Sequence, residues 1–581
     1  MTAPSDPDRR TDVPIATKTL AILCFGLLCW SPTCAKEEQA QPNILIILAD
    51  DLGYSDLGCY GGEIRTPALD QLAANGLRYT RFYNSSRCCP SRASLMTGLY
   101  PHQAGIGRFV GKGKLPGYRG HLTERCVTLA EVLKPAGYST YTSGKWHLND
   151  PGPIERGFDE FYGFPHGYGI DSWDPKMMIR LPEGREKREY KEGEFFATDA
   201  ITDHALDFLT LARKKKQPWL LYTAYQAPHF PVQAPPELSA TYDGIYAEGW
   251  DLLRTQRFER MKKMGLIDKN LKLPPRSPID HIKVAQRIGS MTEDGMNPPW
   301  SSLPADRRAD LARRMAVFAA MVENMDRNIG RLIKSLEQNG ELDNTLILFL
   351  SDNGACAEWE PFGFDLDAKD YLKNKPGHGI NGYTPGRPNV LHKGDKLATM
   401  GGPGSLFSYG CSWANLSNTP LWLYKHYAHE GGVRTPMIAH WPKRIRARGE
   451  LRHQVSHVMD IMATCVEIAE ANYPKQFNGH DILAMEGRSL TGSFDDKSQA
   501  PRRLVLEHER NAALIEGDWK LVGQKVIAKH ELNPSAKWEL YHLGKDPTEQ
   551  HDLSQKEADR VKRMVNMLEA EAKRTLVLPA N

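Results

Sequence analysis

The chain has 581 residues, 41% of them hydrophobic and 25% charged, with a formal net charge of +3. This is the composition of an ordinary globular chain of one large domain or two, and so small a charge gives no argument for nucleic acid or a membrane surface as partner. Ten cysteines spread this thinly do not read as a disulfide framework and leave room for one or two bridges at most.

Residues 19–30 form an apolar run after Lys18, followed by small residues at Thr33-Cys34-Ala35 and a polar Lys36-Glu37-Glu38. The pattern reads as a secretory signal over 1–35 with a long n-region. It is short for a bilayer span, and no other stretch could cross a membrane. A periplasmic or secreted protein is expected. An uncleaved anchor and a lipoprotein built on Cys34 are the rivals, the latter weakened because Ser31-Pro32-Thr33 fits a lipoprotein box poorly.

Asn43 to Leu48 is a continuous apolar run, as expected of a strand buried on both faces. Asp50 and Asp51 follow at its C-terminal end, where open α/β sheets build their sites. Two adjacent carboxylates beside a hydrophobic strand are costly unless a cation neutralises them. Oxygen donors suit Ca2+ or Mg2+ rather than a soft metal. Thr66 to Gly76 carries a cap, a Pro at the first helical position and a terminating Gly, so it predicts a helix.

Cys88-Cys89-Pro90-Ser91-Arg92 then opens a second helix that Gly98 can end. Cys88 is placed at the helix N-terminus, where free N–H groups favour an anion. Arg92, four residues on, shares its face. Thr128 to Ala136 predicts a helix and Tyr138 to Ser143 a strand, after which Gly144-Lys145-Trp146-His147 delivers two polar groups. Thr198 to Arg213 is helical. Trp219 to Tyr225 is a buried strand, and His229 follows it in Pro228-His229-Phe230-Pro231. Residues 232–303 read as Pro-rich and irregular.

Asp306 to Gln338 is a long helix with a core-facing stripe through Phe318, Val322, Met325, Ile329, Leu332 and Leu336. Thr345 to Leu350 is another buried strand, with Asp352 and Asn353 at its end. Residues 355–420 read as a long excursion. Lys425 precedes Glu430-Gly431-Gly432, Met437 to His440 is a strand, and Val458 to Ala471 a helix. Beyond residue 500, four short strands and the amphipathic stretch Glu557 to Lys573 predict a small antiparallel sheet with a helix across it. The expected domains are thus 41–497 and 498–581.

The string Cys88-x-Pro90-Ser91-Arg92-x-x-x-x-Thr97-Gly98 resembles the signature of the type I sulfatases. Further matches are Gly144-Lys145-Trp146-His147, His229-Phe230-Pro231, the two Asp loops, Lys425-x-x-x-x-Glu430-Gly431-Gly432 and Asp546-Pro547-Thr548-Glu549. The likeness runs from Asn43 to Leu553 and looks closest to bacterial arylsulfatases. It implies an α/β fold, an alkaline-phosphatase-like sandwich around a large mostly parallel sheet with a smaller C-terminal domain. It further implies hydrolysis of sulfate esters, of aryl alcohols or carbohydrates, by a formylglycine made from Cys88 by a separate generating enzyme.

By the same resemblance Asp50, Asp51, Asp352 and Asn353, with residue 88, hold Ca2+, with Mg2+ the alternative. The hydrated aldehyde at position 88 attacks sulfur, and His229 with Lys425 protonates the departing oxygen. His147 removes the second diol proton to expel sulfate, while Lys145 and Arg92 stabilise the charge. A phosphonate monoester or phosphodiester hydrolase of the same superfamily is the alternative activity. A non-catalytic protein that kept the fold is the second, and its mark, a missing ligand or nucleophile, is not seen.

Overall fold

The computed structural model describes residues 41–109, 113–167, 169–278, 296–357, 362–366 and 391–579. The signal segment expected over 1–35 lies outside them, as do parts of the stretches 232–303 and 355–420. Among the described residues no helix is long and apolar enough to cross a membrane. The seven cysteines beyond residue 40 are all free, so the allowance for a bridge among them is not used.

The elements that position the site are β1 (Asn43–Ala49), α1 (Pro67–Ala74), β2 (Leu77–Tyr83), α2 (Cys88–Thr97), β3 (Ser139–Lys145), β4 (Glu160–Phe164), β5 (Ile179–Leu181), α3 (Ala197–Lys215) and β6 (Trp219–Ala224). They continue with α4 (Trp250–Lys263), α5 (Ala305–Gln338), β7 (Thr345–Ser351), β8 (Arg434–His440), β9 (Glu450–Arg452), β10 (Ser456–His457) and α6 (Asp460–Ile468). A ten-stranded sheet runs β9-β2-β8-β7-β1-β6-β3-β4-β5, with β10 also on β2. Six of its pairings are parallel; β8 runs against β2 and β7, and β5 against β4.

The centre of the sheet follows from the apolar runs. In β1, Leu45, Ile47 and Ala49 enter one hydrophobic layer, with Phe318 and Met325 of α5 and Ala200 and Phe208 of α3. Ile44, Ile46 and Leu48 enter the opposite layer, with Ala93 and Met96 of α2 and Ile461 and Met462 of α6. Alternating side chains that are apolar on both faces require helices on both faces, which is why the run could only be a central strand.

Several boundaries differ from the sequence reading. Helix α1 starts at Pro67, but the Thr66 hydroxyl does not cap it; that oxygen bonds Asp70 and the Gly58 N–H. Its N-terminal N–H groups are satisfied by Asp326 of α5, which accepts from Ala68 and Leu69 at 3.0 and 2.8 Å. The helix expected over 128–136 keeps α geometry only over Leu129–Leu133 and tightens to a 3-10 turn at Lys134–Ala136. Pro135, without an N–H, cannot extend it. The stretch 232–303 is not irregular throughout, since it contains α4.

The C-terminal segment folds into a separate antiparallel sheet of β11 (Arg503–His508), β12 (Asn511–Glu516), β13 (Trp519–Gly523) and β14 (Glu539–His542), in that order. The amphipathic α7 (Ala558–Arg574) lays Met564, Leu568 and Ala572 on it. Buried charges tie this sheet to the large one. Lys520 of β13 bonds Glu430 and Glu549, each at 2.8 Å, and Arg502 bonds both carboxylate oxygens of Asp460 at 2.7 Å.

At this junction His457 is fully buried, and its pKa is pushed down to about 3 by burial and then by Arg502. The native ring is therefore neutral where the unfolded ring, with a pKa near 6.5, takes up a proton. Stability should fall as pH drops from about 6.5 towards 3, by up to roughly 1.4 kcal/mol per pH unit from this group. Urea unfolding of the wild type and His457→Gln between pH 7 and 5 should show the shallower slope in the variant; equal slopes would contradict the assignment.

Candidate active site

Four parallel strands end at one edge, and their register decides what meets there. Ala49 of β1 pairs with Ser351 of β7, so Asp50 and Asp352 emerge side by side. On the other flank Leu48 pairs with Ala224 of β6, which in turn pairs with Gly144 of β3. The strand does not stop at Ser143 but runs on through Gly144 to Lys145, its last residue. The strand extends this far because Gly144 (φ +113°) lets it lie against β6, where a Cβ would come within 1.9 Å of the Ala224 carbonyl oxygen.

The side chains that emerge pair across the gap. Lys145 Nζ bonds Asp50 Oδ2 at 2.5 Å. Lys425 Nζ lies 2.7 and 2.9 Å from the two oxygens of Asp51, and Asn353 donates to Asp51 Oδ1 at 2.7 Å. Arg92, reaching back from α2, donates through Nε and Nη2 to Asp352 Oδ2 at 3.0 and 2.8 Å, and through Nη1 to the Lys145 carbonyl at 2.9 Å. Asp50, Asp51, Asp352, Asn353, Arg92, Lys145 and Lys425 are all buried. Three carboxylates thus face three cations.

Helix α2 begins at Cys88 and ends at Gly98 in the left-handed conformation, as the sequence implied. Burial pushes the Cys88 thiol above its ordinary range, and Lys145 and Lys425 pull it back only in part. The unmodified side chain is therefore a protonated thiol at neutral pH and a weak nucleophile.

The two histidines are set differently. His147, at φ +57°, has neither ring nitrogen hydrogen-bonded among the described residues, and Gly167 lies flat against the ring, since a Cβ there would meet Nε2 at 1.7 Å. Burial, then Lys145 and Arg92, hold it well below the usual histidine range, so it is neutral with a free lone pair. His229 donates from Nδ1 to the Phe230 carbonyl at 2.5 Å, which turns Nε2 towards Asp51 Oδ2, 3.5 Å away. Burial lowers its pKa too, against the pull of Asp51 and Asp50.

The carboxyl groups show what the site lacks in charge. Asp50 is held far below the carboxylate range, because Lys145, His229 and Arg92 outweigh its burial. Asp352 is pushed up to about 7, first by burial and then by Asp50, with Arg92 opposing. Three acids packed together resist losing the last proton. In addition, the buried oxygens Asp50 Oδ1 and Asn353 Oδ1 have no hydrogen-bond partner among the described residues. Oxygen-only donors, two of them orphaned, beside a carboxyl that needs more positive charge, fit a hard divalent cation. Ligand atoms of Asp50, Asp51 and His229 also lie within 4.8 Å of one another.

The structure thus brings together all ten residues singled out from the sequence. It adds others. Arg87, directly before Cys88, holds the His426 ring through Nη1 at 2.8 and 2.6 Å. Asn418 donates to the Leu423 and Gly431 carbonyls at 2.9 and 2.8 Å and accepts from Ala355 N at 3.0 Å, which fixes the Lys425 loop against the Asn353 loop. Adjacency to Cys88 and Lys425 could have flagged Arg87 and His426; nothing local marked Asn418.

Residues 42–471 match the family model described as Sulfatase, and residues 420–575 match that of the N-sulphoglucosamine sulphohydrolase C-terminal region. The chain is 33% identical over 559 residues to an uncharacterised sulfatase of Schizosaccharomyces pombe, covering 91% of this chain and 93% of that one. It is 32% identical over 483 residues to an arylsulfatase of Klebsiella aerogenes, covering 80% and 94%. Among solved structures, Ps i-CgsB in complex with k-i-k-neocarrahexaose superposes with a TM-score of 0.59 at 25% identity, covering 92% of this chain and 93% of that one.

If the orphaned oxygens await a cation, Ca2+ should stabilise the fold. At 100 times its Kd it adds about 2.7 kcal/mol. Calorimetric unfolding should show that gain in the wild type and its loss in Asp50→Asn/Asp352→Asn. An equal gain in both would place the ion elsewhere.

Proposed function

This chain belongs to the sulfatase family, and we propose that it hydrolyses sulfate monoesters through a formylglycine at position 88 with Ca2+ held by Asp50, Asp51, Asp352 and Asn353. The observation that carries this reading is the gathering of those four donors, Lys145, Lys425, Arg92, His147 and His229 around the first residue of α2. Sulfatases act on sulfate esters; the choice of residue roles, of Ca2+ over Mg2+, and of maturation by a generating enzyme is this proposal's own.

The protein's groups divide the work as follows. Asp50 and Asp51 are kept ionised by the lysines that touch them, so they can hold a cation at neutral pH. A bound divalent cation would supply positive charge beside the sulfate oxygens and lower the pKa of a neighbouring hydroxyl. The buried Cys88 thiol is poorly suited to attack, which favours a hydrated aldehyde at that position. Its second hydroxyl gives a route to release sulfate that serine or cysteine lacks.

His147 is neutral, buried and free to accept a proton at the residue-88 side. Lys425 and His229 both reach the Asp51 carboxylate, and from there they can deliver a proton to the departing alcohol. Lys145 and Arg92 are fixed cations for spread negative charge, each anchored by a carboxylate so that none reorganises during the reaction. A cleaved signal segment and an extracytoplasmic location remain part of the proposal.

Protein made with a generating enzyme should release sulfate from 4-nitrophenyl sulfate with a kcat/KM well above that for an aryl phosphonate. Peptide mass spectrometry should find residue 88 as an aldehyde, and Cys88→Ala should lose about 10⁴-fold or more in kcat. Equal rates in Cys88→Ala, or a preference for the phosphonate, would overturn the reading.

A further inference from the structure

Beside the nucleophile lies a polar cluster that the chemistry above does not use. Arg87 immediately precedes Cys88, and His426 immediately follows Lys425. The hairpin turn between β11 and β12 brings His508 and Glu509 to the same point. Arg87 Nη1 lies 2.8 and 2.6 Å from the two ring nitrogens of His426. Glu509 Oε2 is 3.2 Å from His426 Nδ1, and Glu509 Oε1 is 3.4 Å from His508 Nε2.

The backbone is strained to make this meeting. His426 (φ +78°), Glu509 (φ +50°) and Arg510 (φ +74°) are all left-handed without being glycine. A two-residue hairpin turn of this kind ordinarily takes Asn-Gly. The turn is held because Asn511 donates its side-chain N–H to the His426 carbonyl at 2.9 Å, while His426 N–H donates to the Ser86 carbonyl at 3.0 Å. Strain fixed from both sides in this way clusters at ligand-binding places. His508 is buried; its Nδ1 has no hydrogen-bond partner among the described residues, and its Nε2 meets Glu509 Oε1. The Glu509 side chain is 49% exposed, so the cluster reaches solvent.

We propose that Arg87, His426, His508 and Glu509 form a subsite for the hydroxyl groups of a carbohydrate, on the alcohol side of the sulfate to be cleaved. This rests on the sulfate-ester hydrolysis proposed above and narrows it to sulfated sugars. The composition decides among ligands. The ligand atoms of His426, His508 and Glu509 lie within 4.8 Å of one another, as a metal would want. The Arg87 guanidinium, however, sits directly on His426, and its fixed positive charge opposes a cation. A second anionic group would meet the Glu509 carboxylate. Burial lowers the His508 pKa, so the opposed fixed charges are those of Arg87 and Glu509. What remains is a set of donors and acceptors in which Arg87 and Glu509 carry opposite charges. Sugar hydroxyls, which both donate and accept, match it.

The test compares mature wild type, Glu509→Gln and His508→Ala on 4-nitrophenyl sulfate and on the 6-sulfates of galactose, glucose and N-acetylglucosamine. The ratio of kcat/KM for the best sugar sulfate to that for the aryl sulfate should fall at least tenfold in each variant, mainly through KM. Far-ultraviolet circular dichroism shows that the variants fold. An unchanged ratio in folded variants, or a wild type that cleaves the aryl sulfate and none of the sugars, overturns the subsite. Tighter Zn2+ binding by wild type than by His508→Ala, with the ratio unmoved, would make it a metal site instead. No release from either substrate class by wild type bearing the aldehyde would refute the hydrolase reading itself.

Discussion

Everything in this molecule turns on three carboxylates forced together out of water. Asp50, Asp51 and Asp352 sit at the ends of two adjacent strands whose cores are wholly apolar, and none is exposed. Left alone, such a cluster would neutralise itself by taking up protons. Here Lys145, Lys425 and Arg92 each grip one of them at 2.5–3.0 Å. Removing one partner of such a buried pair leaves an uncompensated charge and costs about 3–5 kcal/mol. The fold therefore has to bring a strand end, a helix start and a distant loop to one place, and the chemistry follows from that requirement.

The C-terminal sheet serves the same end from the outside. Lys520 bonds Glu430, the residue that closes the Lys425 loop, and Glu549 accepts the Glu430 backbone N–H at 2.7 Å. Tyr83 and Arg434 complete the cage around the same carboxylate, at 3.1 and 3.4 Å. The small sheet thus fixes the loop that carries Lys425, and its first hairpin also reaches Arg87 through His426. A sheet far along the chain contributes to a site whose nucleophile lies near the start.

The large sheet was legible because apolar runs such as Ile44 to Leu48 and Leu346 to Leu350 have no other use, and polar groups directly behind them had to emerge at one edge. The site residues were legible for the same reason, helped by the likeness of their strings to a known family. What escaped was whatever depends on partners distant in sequence. Thr66 looked like a cap, yet Asp326, more than 250 residues away, does the capping. Gly144 and Lys145 were expected just beyond the strand, yet pairing with Ala224 and Phe164 keeps them in it. Helix α4 was hidden in a Pro-rich stretch, its polar surface offering little periodicity. Glu509 and Arg510 carry no turn signal, and only the packing of Asn511 on His426 explains their backbone.

The central claim is that the two orphaned oxygens, Asp50 Oδ1 and Asn353 Oδ1, bind one divalent cation next to residue 88. Anomalous diffraction from crystals grown with Ca2+ tests it most directly. The account predicts a single strong peak 2.3–2.6 Å from both oxygens, the range of calcium–oxygen bonds, with the residue-88 side chain beside it. A peak at any other set of ligands, or none at saturating Ca2+, would contradict it.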